Sequence, residues 1–428
     1  MDKLNVLILG SGGREHAIAW KINQSPILDK LYVAPGNSGT LNIAENLDID
    51  IHNYDSVKNC ILTKNINLLI IGPEDPLVKG LHDQLDIDKE IPNLIIIGPK
   101  KSGAQLEGSK SFAKRFMFKN DIPTANFKSF DINNLNEAKS YLEQSSPPFV
   151  IKADGLAAGK GVFICKTLTE ATNVVQDIVV NKKFGAAGQK IVIESFLDGI
   201  ELSVFILTNG QDYKILPTAK DYKRIGENDV GLNTGGMGAI SPVPFADKIL
   251  MEKIKTKIIE PTLVGLKKEH IEYTGFIFFG LIKVGNEPFV IEYNVRLGDP
   301  ETQVIIPRVK SDLLSLLSSI NDKETFKNME VNIADSVATT VILTSGGYPE
   351  EYKKGYLIKG LEDLKGSIPF HAGLKLENKK YLTNGGRVVA ITTLDENIAA
   401  AIKKTYHNIE KISFQDMYFR KDIGNDLI

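Results

Sequence analysis

The feature that most limits the possible folds is a series of four short aliphatic runs in the first hundred residues. They are NVLIL, KLYVA, NLLIIG and NLIIIG, and the first is followed by the helical pattern EHAIAWKI. Continuous Ile, Leu and Val runs of this length are typical of strands buried on both faces, as in a parallel sheet covered by helices. Residues 1–102 are therefore predicted to form a doubly wound, Rossmann-like α/β domain.

The rest of the chain is predicted to divide further, because 428 residues are too many for one compact core. Ser109 is a plausible cap for the helical pattern SKSFAKRFMFKN, so a new domain is expected to begin near it. Residues 103–123 and 194–330 are predicted to form a catalytic body, and residues 124–193 a small α+β lid. Residues 331–428 are predicted to form a small α/β cap with a final amphipathic helix.

Charge and cysteine content argue against several classes of protein. The formal net charge of -2 gives no bulk attraction to nucleic acid or to an anionic membrane. Cys60 and Cys165 both lie in apolar or strand-like runs, so neither a disulfide framework nor a cysteine-rich metal site is expected. The first apolar run is too short for a signal peptide, and no stretch is long and apolar enough to span a membrane. We expect a cytoplasmic protein with no nucleic-acid or membrane partner.

Three polar turns follow the buried runs of the first domain. They are GSGGREHA, APGNSGT and GPEDPL. The carboxyl ends of parallel strands meet at one edge of a sheet, where ligands usually bind. The first turn lacks the GxGxxG pattern of dinucleotide sites, because Glu15 stands in the third glycine position, and Arg14 is suited to bidentate phosphate contact. A sugar phosphate is favoured over NAD, although glycines serving turn geometry alone are the alternative.

The lid contains a second glycine-rich turn, in the motif KADGLAAGKGV. It differs from a Walker P-loop, because it is one residue short, has Gly161 in place of Ser or Thr, and leads into a strand. A flap over phosphates is predicted, with Lys152 on the preceding strand; an ordinary hairpin and an edge lysine are the alternative. Glu194 and Glu201 then flank a turn, where carboxylates can accept hydrogen bonds from an adenine amine or ribose hydroxyls.

Two motifs of the catalytic body carry most of its unusual polar residues. PTAKDYKR and NTGGMGAISP lie within residues 217–242 and predict a substrate-clasping loop, against the alternative of an exposed turn. PFVIEYNVRLGDPE runs from an apolar strand into polar residues, and the period of two places Glu292, Asn294 and Arg296 on one side. Carboxylate and amide oxygens are suited to Mg²⁺, and a guanidinium to phosphate or carboxylate. A magnesium and anion site is predicted here rather than a solvated strand edge.

Taken together, the motifs resemble those of the glycinamide ribonucleotide synthetase (phosphoribosylamine-glycine ligase) family of the ATP-grasp superfamily. GGREHA, GPEDPL, LEGSKSFAKRFM, KADGLAAGKGV, PTAKDYKR, NTGGMGA and EYNVRLGDPE occur in the family's order over essentially the full length. The resemblance implies a biotin-carboxylase-like N-terminal domain, an ATP-grasp pair and a C-terminal domain that closes one side of the cleft. It further implies ligation of glycine to 5-phosphoribosylamine in purine biosynthesis, with ATP and through glycyl phosphate, by a standalone enzyme.

The resemblance also implies a role for individual residues. Those expected to hold ATP are Lys110, Lys152, Gly159, Lys160, Gly161, Glu194, Leu197 and Glu201. Those expected to bind Mg²⁺ or Mn²⁺ are Glu292 and Asn294. Those expected around phosphoribosylamine are Gly10, Gly13, Arg14, Glu15, Asn37, Pro73 and Glu74. Those expected near glycine or the reacting phosphate are Asp221, Gly235 and Arg296, with Lys152, Asp221 and Arg296 as the catalytic set.

Four positions depart from the family pattern, namely Tyr222, Leu232, Leu297 and Leu374. None of them is a proposed metal or phosphate ligand, but they bear on the shape of the glycine site. The alternatives are another ATP-grasp ligase, such as a biotin carboxylase or a purine-pathway carboxylase, and a nucleotide-sensing module without chemistry. A nicotinamide oxidoreductase is suggested only by the first glycine turn.

Overall fold

The computed structural model describes residues 3–157 and 159–428. Its N-terminal part is a five-stranded parallel sheet in the order β3-β2-β1-β4-β5. The strands are β1 Leu4–Gly10, β2 Leu28–Pro35, β3 Glu45–Asn46, β4 Leu68–Ile71 and β5 Ile95–Ile97. The helices are α1 Gly13–Ile22, α2 Tyr54–Thr63, α3 Glu74–Lys79, α4 Leu81–Asp86 and α5 Lys101–Gly108. The four aliphatic runs lie in β1, β2, β4 and β5, so the prediction of a doubly wound parallel sheet is confirmed.

Helix α6, Lys110–Lys119, leads into the lid, and its predicted cap is present: the Ser109 hydroxyl accepts a hydrogen bond from the Phe112 amide at 3.2 Å. The lid is a four-stranded antiparallel sheet in the order β6-β9-β7-β8. Its strands are β6 Phe127–Asp131, β7 Phe149–Ala153, β8 Val162–Cys165 and β9 Lys190–Ser195, and its helices are α7 Leu135–Gln144 and α8 Leu168–Val175. It encloses a small aliphatic core of its own.

The body is built on an antiparallel sheet in the order β11-β10-β16-β17. Its strands are β10 Ile200–Thr208, β11 Tyr213–Ile215, β12 Lys220–Asp221, β13 Arg224–Gly226, β14 Val230–Asn233, β15 Gly238–Ser241, β16 Gly275–Val284 and β17 Glu287–Asn294. Its helices are α9 Lys248–Ile254, α10 Glu260–Lys268, α11 Thr302–Ile305, α12 Leu313–Ser318 and α13 Lys323–Asn328. A π-helical turn, Lys255–Ile259, joins α9 to α10, which has Pro261 in its first turn.

The cap shares a sheet with the body. Its strands are β18 Val337–Thr344, β19 Ile368–His371, β20 Leu374–Glu377, β21 Lys380–Thr383 and β22 Arg387–Asp395, followed by helix α14 Ile398–Ile409. The sheet order is β12-β15-β18-β22-β19, so two strands from the predicted substrate-clasping loop join the cap's sheet: β15 pairs with β18 of the cap, and β12 pairs with β15. The sheet therefore crosses the predicted boundary at residue 331, and the loop is fixed to the cap by backbone hydrogen bonds. No helix among the described residues is both long and apolar enough to cross a membrane.

The cap contacts the N-terminal domain through two buried histidines. The His371 amide donates to Nδ1 of His16 at 2.8 Å, and Nδ1 of His371 lies 2.9 Å from the Ser38 hydroxyl. Burial lowers the pKa of His371 to about 4; burial and the neighbouring His371 lower the pKa of His16 to about 3. Both imidazoles are thus neutral in the folded protein at neutral pH.

Because His16 and His371 are buried and neutral, we expect the protein to lose stability in mild acid. Below the ordinary histidine pKa of 6.5, the unfolded chain binds protons that the folded protein does not bind until about pH 4. As far as these two histidines are concerned, the free energy of unfolding is therefore highest above pH 6.5. It falls towards pH 4, by up to about 2.7 kcal/mol per pH unit for the two groups together. In melting curves over this range, His371→Gln should reduce the slope by about half. His407→Gln, on an exposed histidine of α14, should leave the slope unchanged; an unchanged slope in His371→Gln would contradict the assignment.

Candidate active site

The carboxyl end of β17 supplies the centre of the site. Glu292 is half-buried and Asn294 is buried on this strand. Burial acts to raise the pKa of Glu292, but Lys223, Lys152, Lys110 and Arg296 outweigh it and hold the pKa below its ordinary value. Gly280 stands opposite Glu292 on β16, where a Cβ would come within 3.1 Å of the Glu292 Cγ. The result is an ionised carboxylate facing several cations.

Arg296 is held by two carboxylates from the N-terminal part of the chain. Its Nη2 lies 2.7 Å from Oε1 of Glu107, and its Nε lies 3.3 Å from Oε2 of Glu74. Glu107 is buried and also accepts a hydrogen bond from the Val295 amide at 2.8 Å. Burial raises the pKa of Glu107 to about 7, while Arg296 and Arg14 offset burial at Glu74 and lower its pKa. Glu74, a predicted sugar-phosphate residue, thus orients Arg296, and sequence reasoning missed Glu107 although LEGSK was singled out.

A buried triad of charges lies between α6 and the lid. The Lys114 ammonium lies 2.8 Å from Oε2 of Glu194 and the Lys152 ammonium lies 2.9 Å from Oε1, and all three side chains are at most 4% exposed. Lys152 also donates to the Ile291 carbonyl at 3.3 Å, next to Glu292. Burial lowers the pKa of Lys114 to about 8, although Glu194 acts to raise it. Lys114 was not predicted, although it stands four residues after Lys110 on one face of α6, a spacing that could have indicated it.

The other predicted nucleotide residues lie on α6, in the predicted flap between β7 and β8, and between β9 and the start of β10. Lys110 donates to the Gly155 carbonyl at 3.3 Å, and burial lowers its pKa. Lys160, in the predicted flap, donates to the Pro349 carbonyl of the cap at 3.3 Å. Ala158, within the flap motif, lies outside the described residues. The remaining members of this set that are described are Gly159 with a φ of +75°, Gly161 against Ala153 and Ala157, half-buried Leu197, and Glu201.

Four charged groups from different elements meet beside Glu292. Lys223 lies 2.7 Å from Oε2 of Glu201, and both Lys223 and Glu201 act on the pKa of Asp221. Burial raises the pKa of Asp221 despite Lys223. Burial and Asp221 raise the pKa of Glu301 to about 8, and the Ser203 hydroxyl donates to Glu301 at 3.3 Å. Asp221 and Glu301 therefore share less than two full negative charges at neutral pH.

The first glycine turn is held in place by residues that were predicted to bind phosphoribosylamine. Glu15 accepts the Gly12 amide at 2.7 Å on Oε2 and Arg14 Nε at 2.6 Å on Oε1. Gly10 has a φ of +125°, and a Cβ there would lie 2.5 Å from the Glu15 side chain. Asn37 donates to the carbonyls of Ser11 and His371 at 2.9 and 2.8 Å. In this arrangement Glu15 and Asn37 shape the turn, while Arg14 donates to the Leu297 carbonyl at 3.2 Å, three residues after the end of β17.

The other predicted residues of the first domain lie next to this turn. Gly13 begins α1, and a Cβ there would come within 2.5 Å of the Gln303 amide nitrogen. Pro73 caps α3 and precedes Glu74. The turn, α3 and the start of α11 therefore converge on Arg296 and Arg14.

The cap contributes one cation that the motif analysis missed. Arg387 donates to the Gly235 carbonyl and, at 2.8 Å, to the Asp299 carbonyl; its Nη2 lies 3.3 Å from the Asp299 carboxylate. Arg387 and Arg14 offset the burial of Asp299 and lower its pKa. The Gly235 amide donates to the Tyr348 hydroxyl at 2.9 Å. Gly235 is thus held by two side chains of the cap, at the edge of the predicted glycine site.

Comparison with known proteins gives a consistent set of matches. Models described as phosphoribosylglycinamide synthetase match in three consecutive parts: the N domain at residues 4–107, the ATP-grasp (A) domain at 108–302 and the C domain at 338–426. The phosphoribosylamine–glycine ligase of Fusobacterium nucleatum is 44% identical over 425 residues, which is 98% of each chain.

Solved structures agree with these matches. The phosphoribosylamine–glycine ligase from Thermotoga maritima superimposes with a TM-score of 0.85 at 34% identity, over 98% of this chain and 100% of that one. The biotin carboxylase domain of the Hydrogenobacter thermophilus 2-oxoglutarate carboxylase has a TM-score of 0.72 at 14% identity, over 98% of this chain and 92% of that one. At 14% identity, the match to the biotin carboxylase domain supports only a similar fold.

Proposed function

This chain belongs to the phosphoribosylglycinamide synthetase family of ATP-grasp ligases, and we propose that its cleft activates the carboxylate of glycine as glycyl phosphate before an amine attacks it. The reaction it performs is the ATP-dependent ligation of glycine to 5-phospho-D-ribosylamine, giving glycinamide ribonucleotide, ADP and phosphate in purine biosynthesis. The observation that carries the proposed step is the convergence of Lys110, Lys152, Lys223 and Arg296 on Glu292.

These cations fit the charge that develops when the γ-phosphoryl group moves from ATP to a carboxylate. Such a transfer is accelerated mainly by holding the reactants in line and neutralising the equatorial oxygens. Lys110 and Lys152 face the cleft from α6 and β7, beneath the flap. We assign them to the ATP phosphates, with Gly159, Lys160 and Gly161 covering them and Leu197 at the adenine.

The structure modifies one part of this assignment. We had assigned Glu194 to the adenine amine, but both of its carboxylate oxygens are within 3 Å of lysine ammonium groups. We therefore propose that Glu194 also orients the side chain of Lys152. Glu201, paired with Lys223, is the candidate for the ribose hydroxyls.

The donors at the end of β17 fit a hard divalent cation. Glu292 supplies an ionised carboxylate and Asn294 an amide oxygen two residues later, which is a pair that Mg²⁺ or Mn²⁺ accepts together with phosphate oxygens and water. When bound, such an ion neutralises charge on the transferring phosphoryl group. We propose these two residues as its protein ligands.

We propose that the carboxylate of glycine and the amine of phosphoribosylamine meet beside Arg296. Its guanidinium is fixed by Glu74 and Glu107 and suits a carboxylate or acyl phosphate. Asp221 and Glu301 face the same space and suit an ammonium group, because their carboxyl oxygens can accept its hydrogen bonds and its positive charge favours their ionised forms. The sugar phosphate is assigned to the Gly10–Arg14 turn, where helix α1 presents its N-terminal amides.

The test is an assay with phosphoribosylamine generated in place from ribose 5-phosphate and ammonia. ADP release must depend on glycine and on phosphoribosylamine. Release with bicarbonate or formate but not with glycine would overturn the proposal in favour of another ATP-grasp reaction.

We further propose that the enzyme acts alone on these small molecules in the cytoplasm, with a body at residues 103–123 and 194–330 between the N-terminal domain, the lid and the cap. The near-neutral net charge supports the absence of a nucleic-acid partner.

A further inference from the structure

Tyr222 stands between two residues of the proposed cleft. It follows β12, and the extended backbone continues through it, because its amide donates to the Gly238 carbonyl at 3.0 Å. Along such a backbone, successive side chains point to opposite faces. Asp221 and Lys223 face Glu201 and Glu292, so Lys220 and Tyr222 face away from the cleft.

The opposite face is covered by residues 418–426, which we call the C-terminal segment. The Tyr222 hydroxyl donates to Oδ1 of Asp426 at 2.5 Å, and Lys220 pairs with the other oxygen of Asp426. The Lys220 ammonium lies 5.0 Å from the Tyr222 ring centre, and the Arg420 guanidinium lies 5.3 Å from it. Tyr222 is 3% exposed, so its ring is enclosed by these charges.

The segment also holds the far end of the loop. Arg420, 1% exposed, binds Asp422 through Nε at 2.8 Å and Nη2 at 2.7 Å, and binds Asp229 through Nη1 at 2.6 Å. Asp422 in turn accepts the Asn228 amide at 2.8 Å. The turn between β13 and β14 is therefore attached to the same segment that holds Tyr222.

We infer that Tyr222 is a positioning residue, which with Asp426 and Arg420 fixes the strand so that Asp221 and Lys223 are presented to the nucleotide and glycine sites. This inference rests on the proposed function and concerns a residue that makes no contact with the cleft itself. It also gives a physical role to one of the positions at which this chain departs from the family pattern. The buried hydroxyl requires a partner, and Asp426 supplies it.

The test compares Tyr222→Phe, Asp426→Ala and the double variant. Each single variant should lower kcat between about 10- and 100-fold and raise the KM for ATP, because small displacements of a catalytic group are costly. The double variant should be no worse than the more impaired single variant, because both remove the same hydrogen bond. Independent, multiplicative losses would overturn the inference.

Tyr406→Phe is the matched control. The Tyr406 hydroxyl donates to the Arg420 carbonyl at 2.8 Å and accepts the Ile423 amide at 3.1 Å, so it ties down the same segment without touching β12. It should lower the melting temperature and keep kcat within about twofold of the wild type.

Two further outcomes would contradict the inference: a kcat of Tyr222→Phe within about twofold of the wild type, or an equal kinetic loss in Tyr406→Phe, which would indicate a general loss of rigidity. Both leave the proposed function standing, since that fails only if the wild-type protein shows no glycine-dependent ADP release.

Discussion

Glu292→Gln is expected to lower kcat by about three orders of magnitude while the far-ultraviolet circular dichroism spectrum stays unchanged. The substitution keeps the size of the side chain but removes the charge that Lys110, Lys152, Lys223 and Arg296 face. It also removes a hard ligand for the divalent cation. The measurement is steady-state ADP release at saturating glycine, with Mg²⁺ varied to detect weakened metal affinity.

Glu287→Gln is the control on the same strand. The Glu287 side chain is 44% exposed and pairs with Lys253 at 2.7 Å and Lys257 at 2.6 Å, at the opposite end of the strand from Glu292. Exposed pairs of this kind contribute little, so activity should stay within about twofold of the wild type. Near wild-type activity in Glu292→Gln, or equal losses in the two variants, would remove the case for Glu292 as a metal ligand.

Glu194→Gln is expected to produce the largest loss of stability, about 3–5 kcal/mol. Its two partners, Lys114 and Lys152, are 2% and 4% exposed, and without the carboxylate they become two buried like charges. ATP binding should weaken in parallel, because Lys152 loses the contact that directs it. Scanning calorimetry and nucleotide titration measure the two effects separately.

A second substitution separates charge repulsion from lost packing. Adding Lys114→Met to Glu194→Gln removes one of the two unpaired ammonium groups and should restore part of the lost stability. A further decrease in the double variant would contradict the charge explanation. No recovery of ATP affinity is expected, because the carboxylate that directs Lys152 is still missing.

The sequence predicted those parts of the molecule that local pattern determines. The parallel sheet follows from uninterrupted aliphatic runs, and the Ser109 cap from a residue type with a strong local preference. The alternation at Glu292, Asn294 and Arg296 correctly placed polar groups at the end of β17, because a strand's period is independent of what it packs against.

Other features depend on contacts between distant segments, which no local pattern records. Glu107 meets Arg296 across 189 positions, and Arg387 meets Gly235 across 152. The motif that contains Glu107 could be recognised in the sequence, but nothing in the sequence indicated that Glu107 contacts Arg296. The inclusion of β12 and β15 in the cap's sheet could not be predicted either, because β12 is only two residues long and the sheet is completed by strands about a hundred residues later. The assignments of individual site residues are still predictions.

The most direct test of the central claim uses glycine labelled with ¹⁸O in its carboxylate. If the cleft activates glycine as glycyl phosphate, one labelled oxygen passes to phosphate when the amine of phosphoribosylamine displaces it. We therefore expect each molecule of inorganic phosphate formed in a single turnover to carry one ¹⁸O atom. Phosphate that is formed at the rate of glycinamide ribonucleotide but contains no label would contradict the account.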